Sequence, residues 1–245
     1  MYLAVQALSR PGLILAALLL LAAGGAQAQN RVPPSVAIYE RASSDPTITV
    51  ERLFDLGEQA AQDLVRGELG SYSREEIDAV RKQMPGFGLG NIEAIVALPD
   101  VAFFADLSRR RGRPQDVAFF EALTVHFPDQ SWFPAYMQQT TDVQGCLRLD
   151  GTFSRVDGAW RRFRAAYPQS YVRHVATHLE AIEYWISGSM DIKRVCACGE
   201  QPEAERDIAA LATLGPNESM GRSAAALLRG LRDGSVAFKA QCRPN

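Results

Sequence analysis

The chain has 245 residues, 47% of them hydrophobic, and its 26 Lys plus Arg stand against 28 Asp plus Glu for a formal net charge of −2. The hydrophobic share excludes a wholly disordered chain. The near-neutral, slightly acidic balance gives no footing for nucleic acid, whose binding proteins carry a basic surface against the phosphates.

The first 28 residues read as an export signal. Arg10 sits in a short polar lead, Leu13 to Ala23 is unbroken apolar, and Ala26-Gln27-Ala28 supplies a small-x-small cleavage site. The mature chain is expected to begin near Gln29, and the loss of Arg10 moves the formal charge from −2 to −3. The apolar run falls well short of the ~20 residues a bilayer-spanning helix needs. The mature protein is therefore expected to be periplasmic or secreted, with no membrane span.

Residues 29–46 contain Pro33-Pro34, a pair that cannot sit inside a helix or a central strand. They read as an extended lead-in with a short ordered piece around Val36 to Tyr39. From residue 47 to 245 the apolar spacing is helical, which predicts one helical domain with a subdivision near 128–145. Thr49 is placed to cap a helix carrying Leu53, Leu56, Ala60, Leu64 and Val65 and ending near Gly67. Ser73 and Glu76 form a capping-box pattern ahead of Ile77 and Val80, stopped by Pro85-Gly86. The glycine-rich Gly86-Phe87-Gly88-Leu89-Gly90 follows a helical pattern instead of a strand, so it reads as a connector and not as a phosphate loop.

An internal echo follows. Asp100-Val-Ala-Phe-Phe-Ala-Asp-Leu107 matches Asp116-Val-Ala-Phe-Phe-Glu-Ala-Leu123 at six of eight positions, which predicts two similarly packed helices in a hairpin around Gly112 and Pro114. Arg109-Arg110-Arg111-Gly112-Arg113 lies between the copies, where cations suit a helix end. His126 to Gly145 reads as a long connector bearing Trp132, Phe133 and Tyr136, as buried anchors or as an aromatic docking patch. Helices are predicted for Phe153 to Tyr167, Gln169 to Ser187, Pro202 to Leu214 and Ser219 to Asp233. The fold expected is all-α, a multi-helix bundle with two disulfides in its C-terminal half.

The four cysteines are Cys146, Cys196, Cys198 and Cys242. In an oxidising compartment an even count reads as disulfides. Bonding Cys196 to Cys198 would close a strained small ring, so each reaches for a distant partner. Two pairings remain open: Cys146 with Cys196 and Cys198 with Cys242, or Cys146 with Cys198 and Cys196 with Cys242.

His174 and His178 stand one helical turn apart, a spacing that can present two imidazoles to one metal ion. His126 is the remaining histidine and a candidate third ligand. A divalent metal such as zinc held there would make a metal-assisted hydrolase, although the glutamate that follows the first histidine of the familiar zinc-protease motif is missing. No Gly-x-Ser-x-Gly or Ser-x-x-Lys pattern marks a serine nucleophile. Arg155, Arg161, Arg162, Arg164 and Arg173 crowd one stretch, as a wet helix face or a patch for an anionic envelope component. The leading expectation is an exported binding or accessory protein, an inhibitor among the options, acting on a protein or envelope component. The metal-assisted hydrolase centred on His174 and His178 is the alternative.

Overall fold

Pro33-Pro34 opens a helix. Proline lacks the N–H that the first helical positions leave unused, and its fixed φ suits them. In the computed structural model, which describes residues 32–66, 72–92, 94–128, 134–138 and 146–240, helix α1 spans Pro34–Ser44 with proline in its first turn. The extended lead-in expected for 29–46 is corrected accordingly: Val36, Tyr39 and Ala42 line a buried helical face. The predicted signal segment 1–28, Trp132, Phe133 and Cys242 lie outside the described residues.

The remaining elements are α2 (Val50–Arg66), α3 (Arg74–Gln83), β1 (Phe87–Ile92), β2 (Ala94–Pro99), α4 (Val101–Arg111), α5 (Pro114–His126), β3 (Met137–Gln138) and β4 (Cys146–Leu147). There follow α6 (Thr152–Ala166), α7 (Val172–Asp191), β5 (Arg194–Ala197), α8 (Gln201–Ala212), α9 (Ser219–Asp233) and β6 (Ala237–Ala240). The chain is mostly helical with a small amount of sheet, which corrects the all-α expectation. None of the helices in the described residues is long and apolar enough to cross a membrane.

The chain divides into two compact units, one taking residues up to Pro46 and Asp55–Leu98, the other Thr47–Phe54 and Pro99 onward. In the first unit Tyr39 meets Phe87 edge to face at 5.5 Å and its hydroxyl donates to the Pro85 carbonyl. A Cβ at Gly57 would lie 2.1 Å from the Phe87 ring and 2.8 Å from Tyr39, so only glycine lets these rings lie against α2. Ser73 and Glu76 close the predicted capping box on α3. The supposed connector after Gly86 is strand β1, which pairs with β2. Phe87 and Leu89 are buried and Gly88 between them is exposed, an alternation that glycines conceal from hydropathy.

In the second unit the echo is two adjacent helices, α4 and α5, with Phe104 stacked on Phe120 at 5.4 Å. Its two aspartates do different work. Asp100 caps α4 by accepting from the Phe103 N–H at 3.0 Å, whereas Asp116 sits one turn inside α5 and accepts from the Arg113 N–H at 2.7 Å. Strands β3 to β6 form one sheet in that order, β3 antiparallel to β4 and the rest parallel. The register pairs Leu147 with Ala197, which sets Cys146 beside Cys196 one position earlier, and these two are bonded with Cα atoms 4.9 Å apart. Of the two pairings left open by the sequence, the one joining Cys146 to Cys198 is thereby excluded.

Candidate functional site

All three histidines lie in the second unit. Helix α5 ends at His126, α6 supplies Trp160, and α7 carries His174 and His178 one turn apart. The Trp160 Nε1–H donates to His126 Nδ1 at 2.8 Å, and the Trp160 ring, with no exposed surface, lies flat against His178 at 4.4 Å. His178 is in turn 4.7 Å from His126, which stacks on Phe127 at 4.3 Å. His174 belongs to a different neighbourhood, packed against Phe54 at 5.0 Å and Phe119 at 5.9 Å.

This arrangement decides much of the chemistry open to the rings. Burial, with His178 as a smaller cause, pushes His126 down to about 2, and burial together with His174 pushes His178 down to about 3. Both rings are neutral at ordinary pH. An Nδ1 that accepts from an indole N–H leaves the single proton of a neutral imidazole on Nε2, so neither nitrogen of His126 has a lone pair for a metal while that bond stands. The structure thus sets the His126 ring against His178. Among the described residues no three His, Cys, Asp or Glu side chains are grouped to hold a metal ion.

A second buried cluster anchors the start of α7. Tyr171 takes a left-handed backbone with φ 50°, unusual for a bulky residue. It is held from three sides: its N–H donates to Glu51 at 2.5 Å, its hydroxyl donates to Asp116 at 3.0 Å, and its ring stacks on Phe119 at 3.7 Å. Arg113 bridges Glu51 at 2.8 Å and Asp116 at 3.2 Å, and the hydrogen bond to Asp116 is the main cause that raises its pKa. Burial, reinforced by Asp116, drives the Tyr171 phenol far above its usual range. Every polar group here is used in holding the others, and the Tyr171 hydroxyl is not a usable acid or base. Sequence reading missed this network because its partners are up to 120 residues apart.

The α6 N-terminus could attract an anion, but the chain fills it. Asp207 from α8 accepts from the N–H groups of Gly151, Phe153 and Ser154 at 3.0, 3.2 and 2.9 Å. Gly151 takes φ 89° at that turn. A cavity of about 240 Å³ beside it is lined by Asp150, Ser154, Glu203, Arg206 and Asp207 among others, an acidic rim with one cation.

The arginine stretch of α6 is divided. Arg161 is bound by Asp157 at 2.7 Å and Glu218 at 2.9 Å, with Arg164 at 3.9 Å from the same glutamate. Burial raises Asp157 even beside Arg161. In the basic cluster after α4, Arg110 pairs with Asp106 at 2.9 Å on an exposed face, while Arg113, its side chain 44% exposed, reaches from the surface to Glu51 and to the buried Asp116. Tyr136 of the aromatic connector is a core residue with 1% exposure.

Among the described residues of this unit the large apolar side chains left in water belong to α7 and its end: Val172 at 56% exposed, Tyr184 at 70% and, just past the helix, Ile192 at 64%. Hydropathy could not single out Tyr184, because a tyrosine beside Trp185 on an amphipathic helix fits either face. No family model matches the chain, and neither the curated proteins nor the solved structures contain a match.

Proposed function

We propose that this chain is an exported, periplasmic or secreted, disulfide-stapled helical protein that works by binding a protein or envelope component, as an accessory factor or inhibitor. The observation that carries this reading is the outer face of α7, where Tyr184 stands 70% exposed between Ala181 and Gly188. A tyrosine offers a large rigid contact area with a polar tip, and surface aromatics of that kind recur at the centre of protein interfaces. Buried polar side chains are engaged within the fold: His126 with Trp160, Tyr171 with Asp116, and Asp207 with the α6 backbone.

The export half of the proposal rests on residues 1–28 and on the Cys146–Cys196 bridge, a bond suited to an oxidising compartment. None of the described cysteines is free, and Cys242 is the remaining partner for Cys198, so the proposal includes a second bridge between them. Non-reducing peptide mapping tests that bridge. N-terminal sequencing of the protein from an extracytoplasmic fraction is expected to begin near Gln29.

The binding half is tested by placing a photo-crosslinking amino acid at Tyr184, and separately at Arg206, an exposed position on α8, in cells that export the protein. A discrete adduct from position 184 and none from 206 supports the docking face. Irradiation that yields no adduct at 184, or the same diffuse products at both positions, removes it.

A further inference from the structure

Trp160 is the hub of the second unit. Its ring is wholly buried, packs against Phe119 and His178, and uses its one polar atom on His126. A proton on His126 can enter only at Nδ1, because Nε2 already carries one, and an Nδ1–H would then point at the indole N–H with no lone pair between them. The hydrogen bond and the proton are mutually exclusive. We infer that the Trp160–His126 contact, with His178 laid against it, is an acid-sensitive lock: acid removes the acceptor that holds Trp160, and the second unit loosens.

The surroundings of the two rings favour this outcome. His126 faces Phe127 from its own end of α5, Tyr136 from the segment before β3, Trp160 from α6 and His178 from α7. His178 faces His126, Phe127 and Trp160, with His174 one turn before it. No carboxylate is among the groups that act on either ring. Two buried carboxylates on these helices are engaged elsewhere, Asp157 with Arg161, which also binds Glu218, and Asp116 with Arg113 and Tyr171. A cation at His178 would gain from the indole face, so His126 is the more sensitive of the two.

The sign follows from linkage. Both rings titrate lower in the folded protein than the ordinary value near 6.5 that they regain on unfolding, so their contribution is complete above pH 6.5 and is lost as pH falls toward 3. Each ring lowers the folding constant about tenfold per pH unit across that window. Asp150, Glu205, Glu218 and Asp233 have depressed pKa values and also lose stabilisation in acid, while Asp157 is raised and opposes them. These groups are shared by any histidine variant, so the difference between variant and parent isolates the lock.

The test is urea unfolding of the whole exported chain at pH 7.5 and 4.5, beside His126→Gln, whose amide oxygen can still accept from Trp160 but does not titrate. The parent is expected to lose about tenfold or more of its folding constant beyond what the variant loses over that interval. Superimposable pH profiles would overturn the inference. Should the variant not fold, nitrogen-15 spectra of the parent decide. The inference requires a neutral His126 with its proton on Nε2 and a hydrogen-bonded Trp160 indole until the acid transition itself. A ring that titrates near 6.5 while the indole signal stays in place refutes it.

Discussion

Between α4 and the first half of α7 the interior of the second unit is aromatic, with Phe54, Phe104, Phe119, Phe120, Phe153, Trp160, Phe163 and Tyr171 all buried. Beyond Leu179 it is mainly aliphatic: Ile182, Ile186, Val195, Ala204, Ile208, Leu211, Met220, Leu227 and Leu231 are among the buried residues of α7, β5, α8 and α9. The aromatic part is ordered by ring geometry, edge-to-face for Phe54 on Phe104 and stacked for Phe119 on Tyr171, with a few hydrogen bonds fixing each polar tip. Small aliphatic side chains make no such directional contacts. Their region has strands β5 and β6, and the Cys146–Cys196 bridge ties β5 to β4 across a separation of 50 residues that encloses α6 and α7. One region is specified by shape and polar anchors, the other by burial and a covalent tie.

The strongest way to break that contrast is Trp160→Ala. It opens a cavity at the hub and leaves His126 Nδ1 without its donor, so a loss of about 3–5 kcal/mol is expected. Urea unfolding at pH 7.5 measures it. A loss below about 1 kcal/mol would mean that the aromatic region is not what holds the unit together.

Removing the staple is next. Cys146→Ala with Cys196→Ala is expected to cost about 2–4 kcal/mol, from the freedom regained by the unfolded loop. Hydrogen exchange places the damage. Amides of Ile182 and Ile186, inside the closed loop, are expected to lose more protection than those of Phe104 and Phe119, which lie outside it. Equal loss everywhere would show that the two regions open as one unit.

Asp207→Asn comes third. The carboxylate reaches from the aliphatic region to three N–H groups at the start of α6, and its charge suits the positive end of the helix. The amide keeps the shape but loses charge and one acceptor oxygen, for an expected cost of about 1–2 kcal/mol. A neutral substitution would leave the two regions without this cross-link in energetic terms.

Legibility in the sequence follows the same division. The helices were readable where periodicity and caps agree, as at α2, α3 with Ser73 and Glu76, and α9, whose range Ser219–Asp233 matches the expected one. Strands of two to four residues such as β3, β4 and β5 carry too few positions for alternation to register. The shared face of His174 and His178 was visible from their spacing, but the partner that matters came across from α5: His126 lies 34 residues before Trp160. Glu51, Arg113, Asp116 and Tyr171 come from two helices and two N-caps, so nothing local announces them. Periodicity identifies which face turns inward and is silent about what it meets there.

The smallest expected effect on stability belongs to Tyr184→Ser. Tyr184 is 70% exposed and touches only Trp185 among the aromatic rings, so its removal opens no cavity and breaks no buried hydrogen bond. The change is expected to stay within about 0.5 kcal/mol, as for surface positions without a special role. Binding should respond in the opposite order. If the outer face of α7 is the docking surface, a crosslinker placed at Ala181, one turn before, gives its adduct in the parent and loses most of it in Tyr184→Ser, while a destabilised but exposed-face-intact variant such as Asp207→Asn keeps it. An unchanged adduct in Tyr184→Ser would show that the exposed ring is idle. A loss that instead tracks stability across all four variants would return the effect to folding and leave α7 with no separate role.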